Sequence, residues 1–490
     1  MTGLIVGPVV ALALGLFFQP DPGQPAIGYM AAVVALMAIW WMTEAIPLAA
    51  TSLLPFLLFP SLGILDSGKV ASSYINSTIF LFLGGFLIAL AMERWNLHRR
   101  IALAIISVVG SKPSSMVLGF MLAAGFLSMW ISNTATAVMM LPIGMALLTK
   151  VEDAFGVEKT HTLGICIMLG IAYGSSIGGV ATLVGTPPNM VLAAVYNSTF
   201  PEKEAVTFGK WILFGLPFAM VMMLGTWLLL TKVVCRLDPT LVLNPETVRK
   251  ERSELGRMSF AEKSVSTVFA AAAVLWIFRS DLNFGGVVIP GWQRLWTPLE
   301  ALNDGSIAIG LALLLFLLPS RRTPRSEPLL DSDVFARVPW GIILLFGGGF
   351  ALADGFTASG LSRHVAAAFT SHEALHPLLT TTLVSFGITF LTELTSNTAT
   401  TQMLLPLLAS TAVGLGIHPL VLMIPATLSA SMAFMLPVAT PPNAIVFSSQ
   451  RIKIMEMAKV GVVINLFGLV VIVLLSYFLL PLIFDLRGGG

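Results

Sequence analysis

The stretches "ISNTAT" (131–136) and "TSNTAT" (395–400) decide how this chain folds. Each sets a run of small polar residues inside apolar surroundings, where unpaired polar groups are costly. Ser132 and Ser396 stand 264 residues apart, and the same offset carries Gly84-Gly85-Phe86 onto Gly348-Gly349-Phe350. Farther on, "VGTPPNMV" (184–191) matches "VATPPNAI" (438–445). Three landmarks recurring in one order are an internal repeat.

The surroundings set the solvent. Of 490 residues, 56% are hydrophobic and 11% charged, and the mean hydropathy is +0.89. Soluble domains carry roughly a quarter charged residues. A chain this apolar and this long is an all-α polytopic membrane protein whose first partner is the lipid bilayer. The net charge of +2 and the lack of a basic arm give no sign of nucleic-acid binding. Two cysteines, Cys166 and Cys235, are too few and too far apart to suggest a disulfide framework or a zinc site. The six histidines mostly sit near predicted loops, and only His372 and His376 stand four residues apart. No nucleophile–base pair or nucleotide loop is apparent either, which points away from an enzyme. The opening "MTGLIVGPVVALALGLFFQPDPGQPA" has no basic n-region and reads as a retained first helix.

Apolar spans of bilayer length fall near 3–19, 27–47, 50–66, 77–92, 162–197 and 208–231. After the polar stretch 232–263 they resume at 264–278, 305–319, 339–358, 418–447 and 460–484. Apolar arms flank each SNTAT. If both SNTAT runs are tips of re-entrant hairpins, about 11 transmembrane helices remain. With the N-terminus cytoplasmic and the C-terminus outside, loops 93–113, 150–161, 232–263, 320–338 and 448–459 face the cytoplasm. They hold 20 of the 27 Lys and Arg residues, as the positive-inside rule demands. Five crossings separate the hairpins, so the second enters from the opposite side. The expected architecture is an inverted-topology repeat. Residues 1–231 form the first repeat, with a hairpin at about 114–149 and a broken helix at about 162–197. Residues 232–263 form a cytoplasmic linker. Residues 264–490 form the second repeat, with a hairpin at about 376–415 and a broken helix at about 418–447. Such repeats mark secondary transporters with a midplane site.

The motifs suit that role. Thr-Pro-Pro removes two amide donors and bars the preceding residue from helical geometry. Unwinding at Gly185–Pro188 and Ala439–Pro442 frees carbonyl oxygens, and irregular backbone at membrane depth is tolerated where it lines a cavity. Carbonyls, hydroxyls and Asn amide oxygens suit a hard cation, and the absence of a nearby carboxylate favours a monovalent one. Hydroxyls, amide NH₂ groups and helix N-termini donate to an anion, and Asn189 and Asn443 each open a half-helix. No Lys or Arg lies within the motifs, so a bound cation would offset the anion's charge. The Gly-Gly-Phe motifs read as close helix contacts. Glu44 in "WWMTEAIP" and Glu393 in "LTELTSNT" are the carboxylates nearest to membrane depth, where ionisable groups are functional candidates.

The paired SNT and TPPN motifs, with the early "WWMTEAIPL", resemble the divalent anion:sodium symporter family, which carries di- and tricarboxylates. The resemblance covers nearly the whole chain. It implies homodimers in which part of each protomer moves elevator-fashion across the membrane against a scaffold. It implies one Na⁺ site at Ser128, Ser132, Asn133 and the Gly185 carbonyl, and another at Thr392, Ser396, Asn397 and the Ala439 carbonyl. Ser128 and Thr392 lie four residues before the SNT serines and face the tip from a helical arm. The substrate carboxylates would contact Asn133, Thr134, Thr186, Asn397, Thr398, Thr440 and Pro441. The expected activity is Na⁺-coupled symport of a succinate-like C4-dicarboxylate across a bacterial inner membrane. Sodium-independent exchange, transport of sulfate or another inorganic divalent anion, and an anion channel are the alternatives.

Overall fold

With no water to satisfy them in lipid, backbone amides must bond within their own segment, and apolar segments therefore become helices. The computed structural model describes residues 2–110, 112–235, 237–241, 252–284, 287–321, 326–370, 376–484 and 486. Among these, eight helices are long and apolar enough to cross a membrane, and six shorter apolar helices accompany them. Several expected crossings are the shorter ones: Thr2–Phe17, Leu48–Ser61, Asp304–Leu317 and Leu420–Ala430. Of the polar stretch 232–263, Arg236 and residues 242–251 lie outside the described residues. At its end a capping box, Ser259 with Glu262, starts the helix Phe260–Ile277.

The repeat holds element by element. Helix Ser77–Arg94 corresponds to Trp340–Ala358, and Leu97–Val109 to Leu361–Thr370. Hairpin 1 consists of Pro113–Ser128 and Asn133–Phe155, and hairpin 2 of Pro377–Leu391 and Asn397–Gly414. A proline opens each first arm, where its missing N–H would be unpaired anyway. Ser132 and Ser396 cap each second arm, accepting from Ala135 N at 3.2 Å and Ala399 N at 3.5 Å. Broken helix 1 runs Val157–Val180 and resumes at Pro187–Thr199. Broken helix 2 runs Leu420–Ala430 and resumes at Pro441–Phe447.

Several elements depart from the sequence reading, Ser67–Tyr74 and Leu361–Thr370 among them. Helix Leu97–Val109 lies where a cytoplasmic loop was expected. It buries Leu97, Ala102, Leu103 and Ile106 on one face and leaves Arg99 exposed. The helical spacing of its apolar residues was masked by adjacent arginines. An antiparallel ribbon, Leu282–Phe284 with Val287–Ile289, lies between the helices Phe260–Ile277 and Asp304–Leu317.

Packing crosses the repeats. Helix Ser77–Arg94 lies along Asp304–Leu317, where a Cβ on Gly84 would come 2.5 Å from that of Ala308. The second Gly-Gly-Phe behaves alike, since a Cβ on Gly348 would meet Ser52 O at 2.5 Å. Both motifs therefore serve close helix approach. The second arm of hairpin 1 packs on Pro441–Phe447, and that of hairpin 2 on Pro187–Thr199. Each hairpin is thus seated on the far half of the other repeat's broken helix.

Candidate functional site

Hairpin 1 leaves its first arm at Ser128 and turns through Met129–Ile131 before Ser132 opens the second arm. Ser128 Oγ donates across this tip to Asn133 Oδ1 at 2.5 Å. The amide of Asn133 can be placed either way round. With Oδ1 inward, it faces the carbonyl oxygens of Gly185 and Ser175, both acceptors. Turned over, Nδ2 donates to Gly185 O at 3.2 Å, Ser175 O at 3.3 Å and Ser128 Oγ at 2.5 Å. One amide position therefore meets three oxygens from three segments. A cation among them would draw Oδ1 inward, and without one the NH₂ group satisfies the carbonyls. The tight fit depends on Gly185, whose added Cβ would come 2.8 Å from Ser128 O and nearer still to Gly179 O.

The second tip repeats the bond. Thr392 Oγ1 donates to Asn397 Oδ1 at 2.6 Å, and it also lies 2.9 Å from Ala430 O at the end of the helix Leu420–Ala430. Ser396 stands beside Asn397 as the cap of the second arm. The Ala439 N–H donates to Leu436 O at 3.2 Å. Of the residues assigned to cations by sequence, Ser128, Asn133 and Gly185 meet directly, as do Thr392 and Asn397. Ser132 and Ser396 adjoin those groups in the chain.

The breaks in the two helices are held by their asparagines. Asn189 Nδ2 donates to the carbonyls of Gly179 (3.4 Å), Val180 (3.1 Å) and Thr182 (2.7 Å). Asn443 Nδ2 reaches Ala433 O at 3.1 Å and Leu436 O at 3.0 Å, the same positions ten and seven residues back. These asparagines are staples for the unwound backbone, a role the sequence reading missed when it placed them as half-helix openers. An amide side chain directly after Pro-Pro, at the start of each resumed half-helix, was the available signal. Thr182 adds a hydroxyl that donates to Met129 O and accepts from Gly185 N at 3.1 Å, tying hairpin 1 to its own break.

Glu393, 3% exposed, is explained by the second break. Its carboxylate accepts from the backbone N–H groups of Phe434 (2.8 Å), Met435 (2.9 Å) and Leu436 (3.1 Å) and from Asn465 Nδ2 (2.7 Å). Four N–H donors satisfy these carboxyl oxygens without a cation. Glu44 is exposed in a left-handed turn (φ 47°) just after Ala26–Thr43.

Among the residues assigned to substrate, Thr186 and Thr440 are buried at the starts of the resumed half-helices, and Thr440 Oγ1 accepts from Asn443 N at 3.3 Å. Thr134 and Pro441 are exposed, and Asn133, Asn397 and Thr398 are half-buried. A small cavity of about 30 Å³ lies beside Ser132, Gly185 and Pro187, walled by Phe82, Phe86 and Trp130. Helix Ser77–Arg94 therefore forms one wall next to the first tip. The described residues include no cluster of His, Cys, Asp and Glu able to hold a metal ion. Any ion here would rest on neutral oxygens.

A family model described as the sodium:sulfate symporter transmembrane region matches residues 1–484. Sodium-dependent dicarboxylate transporters of Staphylococcus saprophyticus and Staphylococcus aureus are each 42% identical to this chain. The matches cover 98% and 99% of this chain and 91% and 92% of theirs. Among solved structures, the YdaH transporter of Alcanivorax borkumensis has a TM-score of 0.55 over 91% of this chain and 98% of its own. MtrF of Neisseria gonorrhoeae has a TM-score of 0.56 over 95% and 96%. Both are 13% identical, so the likeness is one of fold.

Proposed function

This chain belongs to the sodium:sulfate symporter family, and on that premise we propose that it couples Na⁺ entry to uptake of a succinate-like C4-dicarboxylate. It is an integral membrane transporter and not an enzyme. Dependence on Na⁺ and a dicarboxylate substrate follow the function carried in the names of its 42% identical relatives. The observation that carries the reading is the Asn133 position, which meets the oxygens of Ser128, Gly185 and Ser175 at 2.5–3.3 Å. An oxygen cluster of that kind, without a carboxylate, suits a monovalent hard cation.

In this reading one Na⁺ is carried by Ser128, Ser132, Asn133 and the Gly185 carbonyl. A second is carried by Thr392, Ser396, Asn397 and the Ala439 carbonyl. The dianion is recognised by Asn133, Thr134, Thr186, Asn397, Thr398, Thr440 and Pro441 through hydroxyls, amides and half-helix N-termini. With no Lys or Arg in the tips, anion affinity rests on the cations beside it. Sodium and substrate then bind together or weakly, which is what strict coupling requires. Elevator-type motion of hairpins and broken helices against the remaining helices, a homodimer, and a bacterial plasma-membrane setting with a cytoplasmic N-terminus complete the proposal.

The test is labelled succinate uptake into proteoliposomes, with and without an inward Na⁺ gradient and internal succinate. Sodium-driven accumulation above the external concentration supports symport. Uptake that needs internal dicarboxylate and ignores Na⁺ makes the protein an exchanger, and sulfate uptake without succinate uptake changes the substrate. Asn133→Ala and Asn397→Ala should each raise the Na⁺ concentration for half-maximal uptake by about tenfold or more, corresponding to at least roughly 1.4 kcal/mol. Wild-type sodium curves in both would sink the site assignment.

A further inference from the structure

Gln402, on the second arm of hairpin 2, is fully buried and only half satisfied. Its Nε2 donates to Leu345 O at 2.7 Å, while its Oε1 has no hydrogen-bond partner among the described residues. Leu345 lies inside the helix Trp340–Ala358, where the backbone ladder already supplies its carbonyl with a donor. The amide therefore takes a second lone pair that has no need of it. The seat is shaped to this side chain, since a Cβ on Gly349 would come 2.8 Å from both Cγ and Cδ of Gln402. At the repeat-related Gly85 a Cβ would meet Val184 at an ordinary 3.5 Å. The repeat-related partner of Gln402 is Val138, which is exposed. The amide is the buried member of the pair.

Its surroundings are otherwise apolar and close. Ala399 and Met403 of the same arm join a core built from Trp41, Phe59, Leu345 and Ala351. At the end of the arm a Cβ on Gly414 would run into the backbone of Ala366. Within such a seat a stranded acceptor costs more than one neutral hydrogen bond returns. An unbranched apolar side chain of similar length, such as methionine, would fill the same space without that cost. Gln402 thus weakens the seat that it occupies. Once the arm lifts away, water reaches both ends of the amide and the cost disappears.

We propose that Gln402 poises hairpin 2 as the outer gate, its half-satisfied amide holding the closed seat against Trp340–Ala358 weak enough for the hairpin to lift and admit the dianion. Gln402 is a positioning residue: it acts through the placement of the hairpin and contacts neither ion nor anion. The proposal rests on the reading above, in which the hairpins move against the remaining helices and hairpin 2 enters from the outer face. It sets the population of the outward-open state rather than the affinity of the tips.

The test places a reporter, Ala399→Cys, in the closed seat, where Ala399 is buried. It is labelled from the outer face of proteoliposomes of known orientation with a membrane-impermeant maleimide, in the absence of succinate. Cys166 and Cys235 are buried and add little background. Gln402→Met should slow labelling about five- to tenfold, because it removes the stranded acceptor and keeps the volume. Without the reporter, the same substitution should raise the outer-face KM for succinate by a similar factor and leave the inner-face KM within about twofold, since only the outward-open population falls. Gly349→Ala should act in the opposite sense, crowding the amide from its seat and speeding labelling several-fold. That gain should vanish in a Gln402→Ala background, where there is no amide to displace. Unchanged or faster labelling in Gln402→Met overturns the proposal, as does a KM that moves equally at both faces. So does a Gly349→Ala gain that persists without the amide, or a reporter that is never labelled from the outer face. The labelling needs no succinate. A wild type without sodium-driven succinate uptake would therefore fell the parent reading, while the labelling series still decides the gate.

Discussion

The two breaks in the membrane helices look alike in sequence and are held by different chemistry. Break 1 covers six residues (181–186) and break 2 ten (431–440). Both use a Pro-Pro-Asn staple at the same spacing. The shorter break needs little more, because the Thr182 hydroxyl takes up Gly185 N and reaches Met129 O. The longer one strands the N–H groups of Phe434, Met435 and Leu436, and the Glu393 carboxylate collects all three. At the position repeat-related to Glu393 stands Met129, which contributes only its carbonyl. The length of unwound backbone, more than the motif, dictates whether a buried carboxyl group is present.

The sharpest way to break this comparison is to remove the carboxylate. Glu393→Ala leaves three backbone donors and Asn465 without their acceptor, a loss of roughly 3–5 kcal/mol by analogy with an orphaned buried partner. Met129→Ala removes a partly buried side chain at the matching point and should cost about 1 kcal/mol. Thermal unfolding of the purified proteins should therefore give a far lower midpoint for Glu393→Ala than for Met129→Ala. Similar midpoints would mean that Glu393 is dispensable to the break and free for another role.

A smaller effect separates Gly185 from its counterpart Ala439. Gly185→Ala forces a methyl against Ser128 O and Gly179 O. Overpacking of that kind costs roughly 1–3 kcal/mol, and here it displaces a carbonyl 3.2 Å from the Asn133 amide. Ala439 already carries the methyl in a break held by Glu393. Gly185→Ala should weaken Na⁺ dependence by about tenfold, and Ala439→Gly by no more than about twofold. Sodium titration of succinate uptake reads both. An equal response would show that the two breaks bear on the cation equally, against the packing difference.

Much of this was legible in the sequence, for physical reasons. Repeated SNT and TPPN motifs fixed the order of hairpins and breaks because two prolines in succession leave the backbone few choices. The four-residue spacing of Ser128 before Ser132 and Thr392 before Ser396 placed both hydroxyls at the tips, where they bond Asn133 and Asn397. The Ser175 carbonyl could not be foreseen, since a backbone oxygen inside a regular helix leaves no trace in sequence. Glu393 was visible as a carboxylate at membrane depth, but its partners lie 41–72 residues ahead and depend on tertiary packing. Helix Leu97–Val109 was hidden because Arg99 and Arg100 read as loop charge.

The smallest expected effect asks what the tip serines do. Ser132 and Ser396 cap their helices at 3.2 and 3.5 Å, and the same hydroxyls are the proposed ion ligands. Alanine would confound the two roles, since losing a cap alone costs about 0.5–2 kcal/mol. Glycine does not, because it replaces a serine cap at a cost of only a few tenths of a kcal/mol. Ser132→Gly and Ser396→Gly should therefore unfold within a degree or two of wild type, as a few tenths of a kcal/mol implies. Each should still require several-fold more Na⁺ for half-maximal uptake, about 1 kcal/mol of lost ligation. The shift should be larger for Ser132, beside the tighter oxygen cluster, than for Ser396, whose neighbour Thr392 already shares its hydroxyl between Asn397 and Ala430 O. Unchanged sodium curves with unchanged stability would reduce both serines to helix caps. The cation would then rest on the Asn amides and the freed carbonyls alone.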